Sequence, residues 1–183
     1  MRIAIGISGA SGAIYAKRLI EELSDDHELF LVISKNARFI FKQEIGIGFD
    51  DFIKGFSVRL FEENDFTSPI ASGSYKLDAC IITPCSVKTL SAIANGYADN
   101  LISRCADVSL KEKRKLLLLV REMPLSAIHL ENMLKLSRMG AVIMPPCPAF
   151  YHKPQTIEDM VNFVISRVLD HLNIENNLTK RWG

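Results

Sequence analysis

At about 150 residues per domain, 183 residues predict a single domain, long enough to bury a self-sufficient core. Hydrophobic residues make up 48% and charged residues 23%, which excludes a disordered, collagenous or low-complexity chain. Lys and Arg number 22 against 21 Asp and Glu, a net charge of +1, so nothing global favours nucleic acid or a membrane surface as partner.

In chain order, Arg2–Ser8 reads as a strand and Ser11–Ser24 as a helix with apolar Ile14, Leu19, Ile20 and Leu23. Glu28–Ser34 is the second strand, Lys35–Lys42 opens a helix, and Ser57–Phe61 is a weaker third strand. Ile45–Ser74, with four glycines, is the least regular stretch and reads as an excursion or lid. Ala79–Thr83 is a continuous apolar strand that Pro84 stops. Ser86–Asn95 and Asn100–Lys111 read as helices, Lys115–Val120 as the most apolar strand, Leu125–Met139 as a helix and Ala141–Met144 as a strand. Thr156–Leu172 is an amphipathic helix, its apolar face running from Ile157 to Leu169. The tail Glu175–Gly183 is polar except for Leu178 and Trp182, the only Trp of the chain.

Apolar strands separated by helices predict an α/β fold, a doubly wound parallel sheet with helices on both faces. Such sheets bind ligands beyond the carboxyl ends of their strands, here after Ser8, Ser34, Pro84, Val120 and Met144. No run reaches the ~18 apolar residues of a membrane helix. Four cysteines, at 80, 85, 105 and 147, without CxxC or zinc-finger spacing, predict reduced, buried thiols, a cytoplasmic location and no metal.

Chemistry-bearing residues gather at those strand ends. Gly6-Ile7-Ser8-Gly9-Ala10-Ser11-Gly12-Ala13 has small residues that let backbone N–H groups approach an anion at a helix N-terminus. It matches neither GxGxxG nor GxSxG, and its plainer reading is a tight turn with Ser11 as a helix cap. Ser34 also fits a cap. In Thr83-Pro84-Cys85-Ser86-Val87-Lys88-Thr89, Ser86 could cap the next helix, and the hydroxyls with nearby N–H groups suit phosphate or a heterocycle's carbonyl edge. Cys85 reads as a small buried hydrophobe rather than a nucleophile. Arg121 and Glu122 follow an apolar strand at once, placing an anion partner beside a proton acceptor. The proline-stiffened stretch Pro145–Pro154 carries Tyr151, His152 and Lys153, and fits a packed connector as well as a site. Arg104 and Lys111 share a helix face with Asp107 between them, a solvated ion-pair pattern.

The blocks GISGASGA, VISK, PCSVKTLSAIANGYADNLISRCADVSLKEKR, LLLVREMPLSAIHLENMLKLSRMGAVIMPPCPAFYHKP and the terminal RWG resemble, in order and end to end, the UbiX-type flavin prenyltransferases. The resemblance implies a flavodoxin-like (Rossmann-like) single domain, 1–183, with residues 174–183 a tail closing over the site. It implies an enzyme that joins a dimethylallyl group from dimethylallyl monophosphate to N5 and then C6 of reduced FMN without a metal. The product, prenyl-FMN, would go to UbiD-type decarboxylases of ubiquinone biosynthesis or other aromatic acid decarboxylation. A homo-oligomer, a dodecamer in the family, is implied too.

Carried over by position, Gly9, Ala10 and Ser11 are the FMN turn, with Ser11 relaying the N5 proton. Ser34, Ser86, Val87, Lys88, Thr89 and Arg121 are further FMN contacts. Glu122 is the acid near C6, and Tyr151, Arg167 and Lys111 hold the donor phosphate. Arg104, a cofactor contact, and Glu44, a catalytic residue, are expected from neighbouring subunits, and Trp182, part of the donor site, covers it. Three positions depart from many or some relatives: Lys88 for Gly, Phe66 for Trp and Cys147 for Ala. Two other functions follow from the same resemblance. The sister flavin-dependent cysteine decarboxylases use a Cys in a clamping loop, and a flavin carrier would bind FMN without chemistry.

Overall fold

A computed structural model describes residues 1–183. Its centre is a six-stranded parallel sheet made of β1 (Arg2–Ile7), β2 (Glu28–Ile33), β3 (Val58–Phe61), β4 (Ala79–Cys85), β5 (Lys115–Val120) and β6 (Val142–Ile143). The strand order is β3-β2-β1-β4-β5-β6, so the winding reverses between β1 and β4. β4 is buried throughout and β5 buries all but its first residue, which is why both read as unbroken apolar runs.

Helices α1 (Ala13–Leu23), α2 (Lys35–Ile45), α3 (Phe49–Ile53) and α7 (Ile157–Leu172) cover one face. On the other lie α4 (Val87–Ala94), α5 (Leu101–Lys111) and α6 (Ala127–Arg138). The two cores hold 25 and 20 buried residues, so neither sheet face is left open. None of the helices is long and apolar enough to cross a membrane.

Several sequence expectations need correction. β4 does not end at Thr83 but runs through Pro84 to Cys85, with a register shift against β5 that accommodates a residue lacking an N–H. The carbonyl of Pro84 is used instead, accepting from the Ser8 amide (3.2 Å) and hydroxyl (2.9 Å). Ser11 caps no helix. The N-cap of α1 is Gly12 at φ 108°, a left-handed conformation suited to glycine, and no side chain caps it from that position.

The supposedly irregular Ile45–Ser74 contains α3, held by an aromatic cluster in which Phe41 lies 5.1 Å from Phe49 and 5.4 Å from Phe52. Phe49, Phe52 and Phe56 at spacings of three and four were the available signal. On α7, Ile157 stands exposed just after the N-cap Thr156, so the buried stripe starts only at Val161. α6 buries little beyond Asn132 and Leu136, leaving Ile128, Leu130 and Leu134 exposed.

Candidate active site

The reversal between β1 and β4 opens a crevice at the carboxyl edge of the sheet, where doubly wound folds bind ligands. Ser8 ties its walls together, because its hydroxyl donates to Pro84 O and accepts from the Ser86 amide at 2.8 Å. A cavity of about 450 Å³ lies here, bounded by Gly9–Ser11, Ser34, the Ser86–Thr89 turn, Arg121 and Glu122. Short side chains make the space. A Cβ added at Gly9 would come within 2.9 Å of the Asn36 Cβ.

Helix N-termini ring this cavity. The Ser34 hydroxyl accepts from the Ala37 amide, and the Ser86 hydroxyl from the Thr89 amide. Asn100 and Ser103 form a reciprocal capping box at the start of α5. The amides of Val87 and Lys88, in the first turn of α4, have no partner within the helix and favour an anion. The Lys88 ammonium is exposed and lies 3.9 Å from Asp99, so its backbone is what faces the cradle. Carboxylates already sit at two other helix starts. Glu63 accepts from the Lys35 amide at 3.2 Å, and Glu44 accepts from Gly12 (3.0 Å) and Ala13 (2.8 Å). Both positions confirm that the local field selects negative charge.

Next to the cradle, Ser11, Arg121 and Glu122 also border a mouth of about 440 Å³ completed by Tyr15, Glu44 and Cys147. Burial pushes the Tyr15 phenol up, as does Cys147, while Arg121 opposes the shift. Against the expectation of four buried thiols, Cys147 is exposed, whereas burial drives the Cys85 thiol to about 12, consistent with its reading as an inert hydrophobe. Glu44 was expected from a neighbouring subunit. Its own chain holds it here, because the C-terminal turn of α2 passes the bare N-terminus of α1.

The remaining expected residues lie elsewhere. Tyr151 packs edge-on against Trp182 at 5.0 Å and Phe163 at 5.9 Å, and a hollow of about 610 Å³ runs between Tyr151–Lys153 and Lys180–Gly183. Arg167, on α7, donates to Asp170 at 2.7 Å. Neither Tyr151 nor any tail residue borders the cradle or its mouth, so the tail does not close over the cavity of its own chain. Instead it folds back along α7.

Lys111 ends α5 just before β5 begins, hence at the opposite edge of the sheet, where Glu112 pairs with it at 2.5 Å. Arg104 donates to Ala71 O (3.0 Å) and Asp107 (3.3 Å). The structure thus brings together Gly9–Ser11, Ser34, Ser86–Thr89, Arg121, Glu122 and Glu44. It gathers Tyr151 and Trp182 separately, and leaves Lys111 and Arg104 apart from both. Sequence reading missed Asn36, Glu63, Asn100 and Tyr15 as site walls. Asn36 and Asn100 sit in or beside helix caps, a usable signal, but nothing local marked Glu63 or Tyr15.

The Flavoprotein family model matches residues 1–169. The flavin prenyltransferase UbiX of Methanocaldococcus jannaschii is 57% identical over 183 residues, spanning 100% of this chain and 99% of the relative. The chain belongs to the UbiX-type flavin prenyltransferases. Two solved structures agree in shape. AnUbiX (PadA1), in complex with FMN and dimethylallyl pyrophosphate, superposes with a TM-score of 0.94 at 41% identity, covering 100% of this chain and 97% of its own. A dodecameric FMN-dependent UbiX-like decarboxylase from Escherichia coli O157:H7 reaches 0.96 at 44%, each chain covered fully. The fold of this family member is the doubly wound, flavodoxin-like domain expected from its sequence.

The residues present fit FMN. The cavity of about 450 Å³ beside the small Gly9–Ser11 turn has room for a flat ring, and the free amides of α4 with the Ser86 and Thr89 hydroxyls suit a phosphate.

Proposed function

We propose that this chain is a metal-independent flavin prenyltransferase that joins a dimethylallyl group, from dimethylallyl monophosphate, to N5 and C6 of reduced FMN. The observation that carries the reading is the cradle at the sheet reversal. It gathers the glycine turn, two capping serines, Arg121 and Glu122 around one cavity. Gly9, Ala10, Ser11, Ser34, Ser86, Val87, Lys88 (through its backbone), Thr89 and Arg121 hold FMN. When bound, reduced FMN supplies two nucleophilic ring atoms.

The protein's own groups do the rest. The donor's allylic C–O bond breaks with its electron pair leaving on phosphate, and Arg167, Lys111 and Tyr151 stabilise that charge. Ser11 moves the proton at N5, with Glu44 fixing the Gly12–Ala13 turn beside it. On ring closure Glu122 moves the proton, taking it from C6 while the allyl double bond takes one up at its inner carbon and so opens its tertiary carbon to C6. Trp182 offers a π face to a cation-like allyl group and excludes water.

Because the donor residues and the cradle are separate within one chain, neighbouring copies complete each site. Arg104 and Lys111 come from such copies, as does the tail. A homo-oligomer, a dodecamer like that of the E. coli relative, supports this arrangement. The product passes to a UbiD-type decarboxylase in the cytoplasm.

The test is anaerobic incubation with reduced FMN and dimethylallyl monophosphate, followed by mass spectrometry of the flavin. A gain of one dimethylallyl unit is expected. Unmodified flavin, bound to folded protein, overturns the reading and brings a cysteine decarboxylase forward, since Cys147 is exposed at the mouth. Substituting the pyrophosphate donor in a parallel reaction decides which phosphate is used.

A further inference from the structure

The C-terminal chain does not trail away from α7. Asn173, at φ 61°, ends the helix in a left-handed turn, and the Ile174 amide bonds back to Leu169 O at 2.9 Å. The tail then runs back along the helix it has just left. The Asn176 amide nitrogen reaches Ser166 O and Asp170 Oδ1, and Trp182 arrives at Tyr151, which itself rests on Phe163.

Aromatic edges and one amide are weak anchors for such a strap. Asn176 Oδ1 and Thr179 Oγ1 are buried without partners, and the start of the tail is held by Ile174 and Leu178, which pack against the core. Beyond Leu178 the anchor at the end of the tail is ionic. Arg181 grips Asp170 in a two-pronged pair, Nη1 to Oδ2 at 2.9 Å and Nη2 to Oδ1 at 2.8 Å. Oδ2 of the same carboxylate also accepts from Arg167 Nη1 at 2.7 Å. Asp170 is much less exposed than either arginine.

We propose that Asp170 is a positioning residue for the donor site, one carboxylate that orients Arg167 and clamps Arg181, so that the docked tail and the phosphate-binding arginine are set together. The proposal rests on the donor role assigned to Arg167 above, but its clamp half stands on the geometry alone. Sharing has a consequence. While Arg181 is in place, Oδ2 is divided between two guanidinium groups, and Arg167 is held in direction but free to turn donors toward a phosphate. When Arg181 leaves, Asp170 has Arg167 to itself and competes with the phosphate for it. Docking of the tail and capture of the donor therefore favour one another, and each must do so equally.

The full-length protein tests this through Trp182, its only tryptophan and so an uncontested reporter on the tail. Arg181→Gln, Arg181→Lys and Asp170→Asn are compared with the parent, first without donor, by tryptophan anisotropy and acrylamide quenching. Arg181→Gln and Asp170→Asn are expected to mobilise Trp182, and Arg181→Lys to restore much of its order. In turnover, the first two should raise KM for dimethylallyl monophosphate about five- to tenfold, as expected for losing a charge-assisted fork. kcat should change less, and FMN affinity should stay unchanged. Trp182 signals identical to the parent in both variants overturn the clamp, and an unchanged KM overturns the link to the donor. Should Asp170→Asn fail to fold, Arg181→Gln decides alone, because its side chain is half exposed. Should the parent not prenylate FMN, the function assigned above fails, while the donor-free Trp182 comparison still decides the clamp.

Discussion

The cradle and the C-terminal patch are built by opposite means. The cradle hangs from β1, β2, β4 and β5, whose residues are almost wholly buried, and its working groups are backbone amides and short hydroxyls. The patch is made of long side chains on the outside of α7 and the tail, with Trp182 80% exposed, joined by one shared carboxylate and aromatic edges. A rigid part suits a planar ring that must be held in one pose. A side-chain part suits a small phosphate that must enter, lose its allyl group and depart.

If the division is real, damage to one half should spare the other. Arg167→Ala is expected to have the largest effect. Losing a leaving-group contact should slow single-turnover prenylation by about 10²–10³-fold, the usual scale for one charge-stabilising donor, with FMN binding intact. Loss of FMN together with activity would break the division. Gly9→Val is the reciprocal change. Its Cβ would press on Asn36 at 2.9 Å, and overpacking of ~1–3 kcal/mol should weaken FMN binding about tenfold or more. Equilibrium flavin titration reads the loss, and Trp182 anisotropy should not move.

The same division explains what could be read from the sequence. The cradle was legible because its parts are local. A strand, a glycine turn and a capping serine are adjacent in sequence, and doubly wound sheets gather such turns at one edge. Ser34, Ser86, Arg121 and Glu122 are marked by their position at the strand ends alone. Glu63 and Tyr15 escaped because only tertiary packing brings them to the walls.

The patch was not legible from pattern. Arg167 looked like any exposed arginine, and Arg181, which shares Asp170 with it, lies beyond a helix end whose chain reversal depends on Asn173. Resemblance supplied Tyr151, Arg167 and Trp182, yet not their place, since a covering tail in the family sense says nothing about which copy it covers. Ser11 shows the converse error. A serine before a helix suggested a cap, but the left-handed Gly12 took that position and Glu44, 32 residues away, took the amide.

Ser86 and Ser11 turn that error into a measurement. Ser86→Ala removes an acceptor from the Thr89 amide (3.3 Å) and a partner of its hydroxyl (3.1 Å). A lost cap costs about 1 kcal/mol. In a chain of this length that lowers Tm by about 2–4 °C. Ser11→Ala should leave Tm unchanged, because Ser11 caps nothing, while slowing the N5 step in single-turnover experiments. Equal Tm losses would return Ser11 to a structural role.

The smallest effect expected concerns pH and belongs to the patch. The Asp170 carboxyl is held below the ordinary aspartate value of 3.8, chiefly by its hydrogen bond from Arg181, with the charges of Arg181 and Arg167 and the Asn176 amide adding to it. A group whose pKa is lowered on docking contributes fully above its undocked value, and the contribution is lost as pH falls through the lowered one. Trp182 anisotropy should therefore hold steady from neutral pH down to about 4, then drop below 3.8 as Asp170 takes a proton and Arg181 lets go. The step is small, because both arginines are half exposed and solvent screens the pairs. Other carboxylates titrate in the same range, so the control is Asp170→Asn, in which this step should vanish. Salt gives the same answer from another direction. At 1 M the screening length shrinks to about 3 Å, which should loosen Trp182 at neutral pH and leave FMN in a cradle of buried strand ends and backbone amides. A tail that ignores both acid and salt would mean that apolar packing, of Leu178 on the core and Trp182 on Tyr151, rather than Asp170, is what holds it.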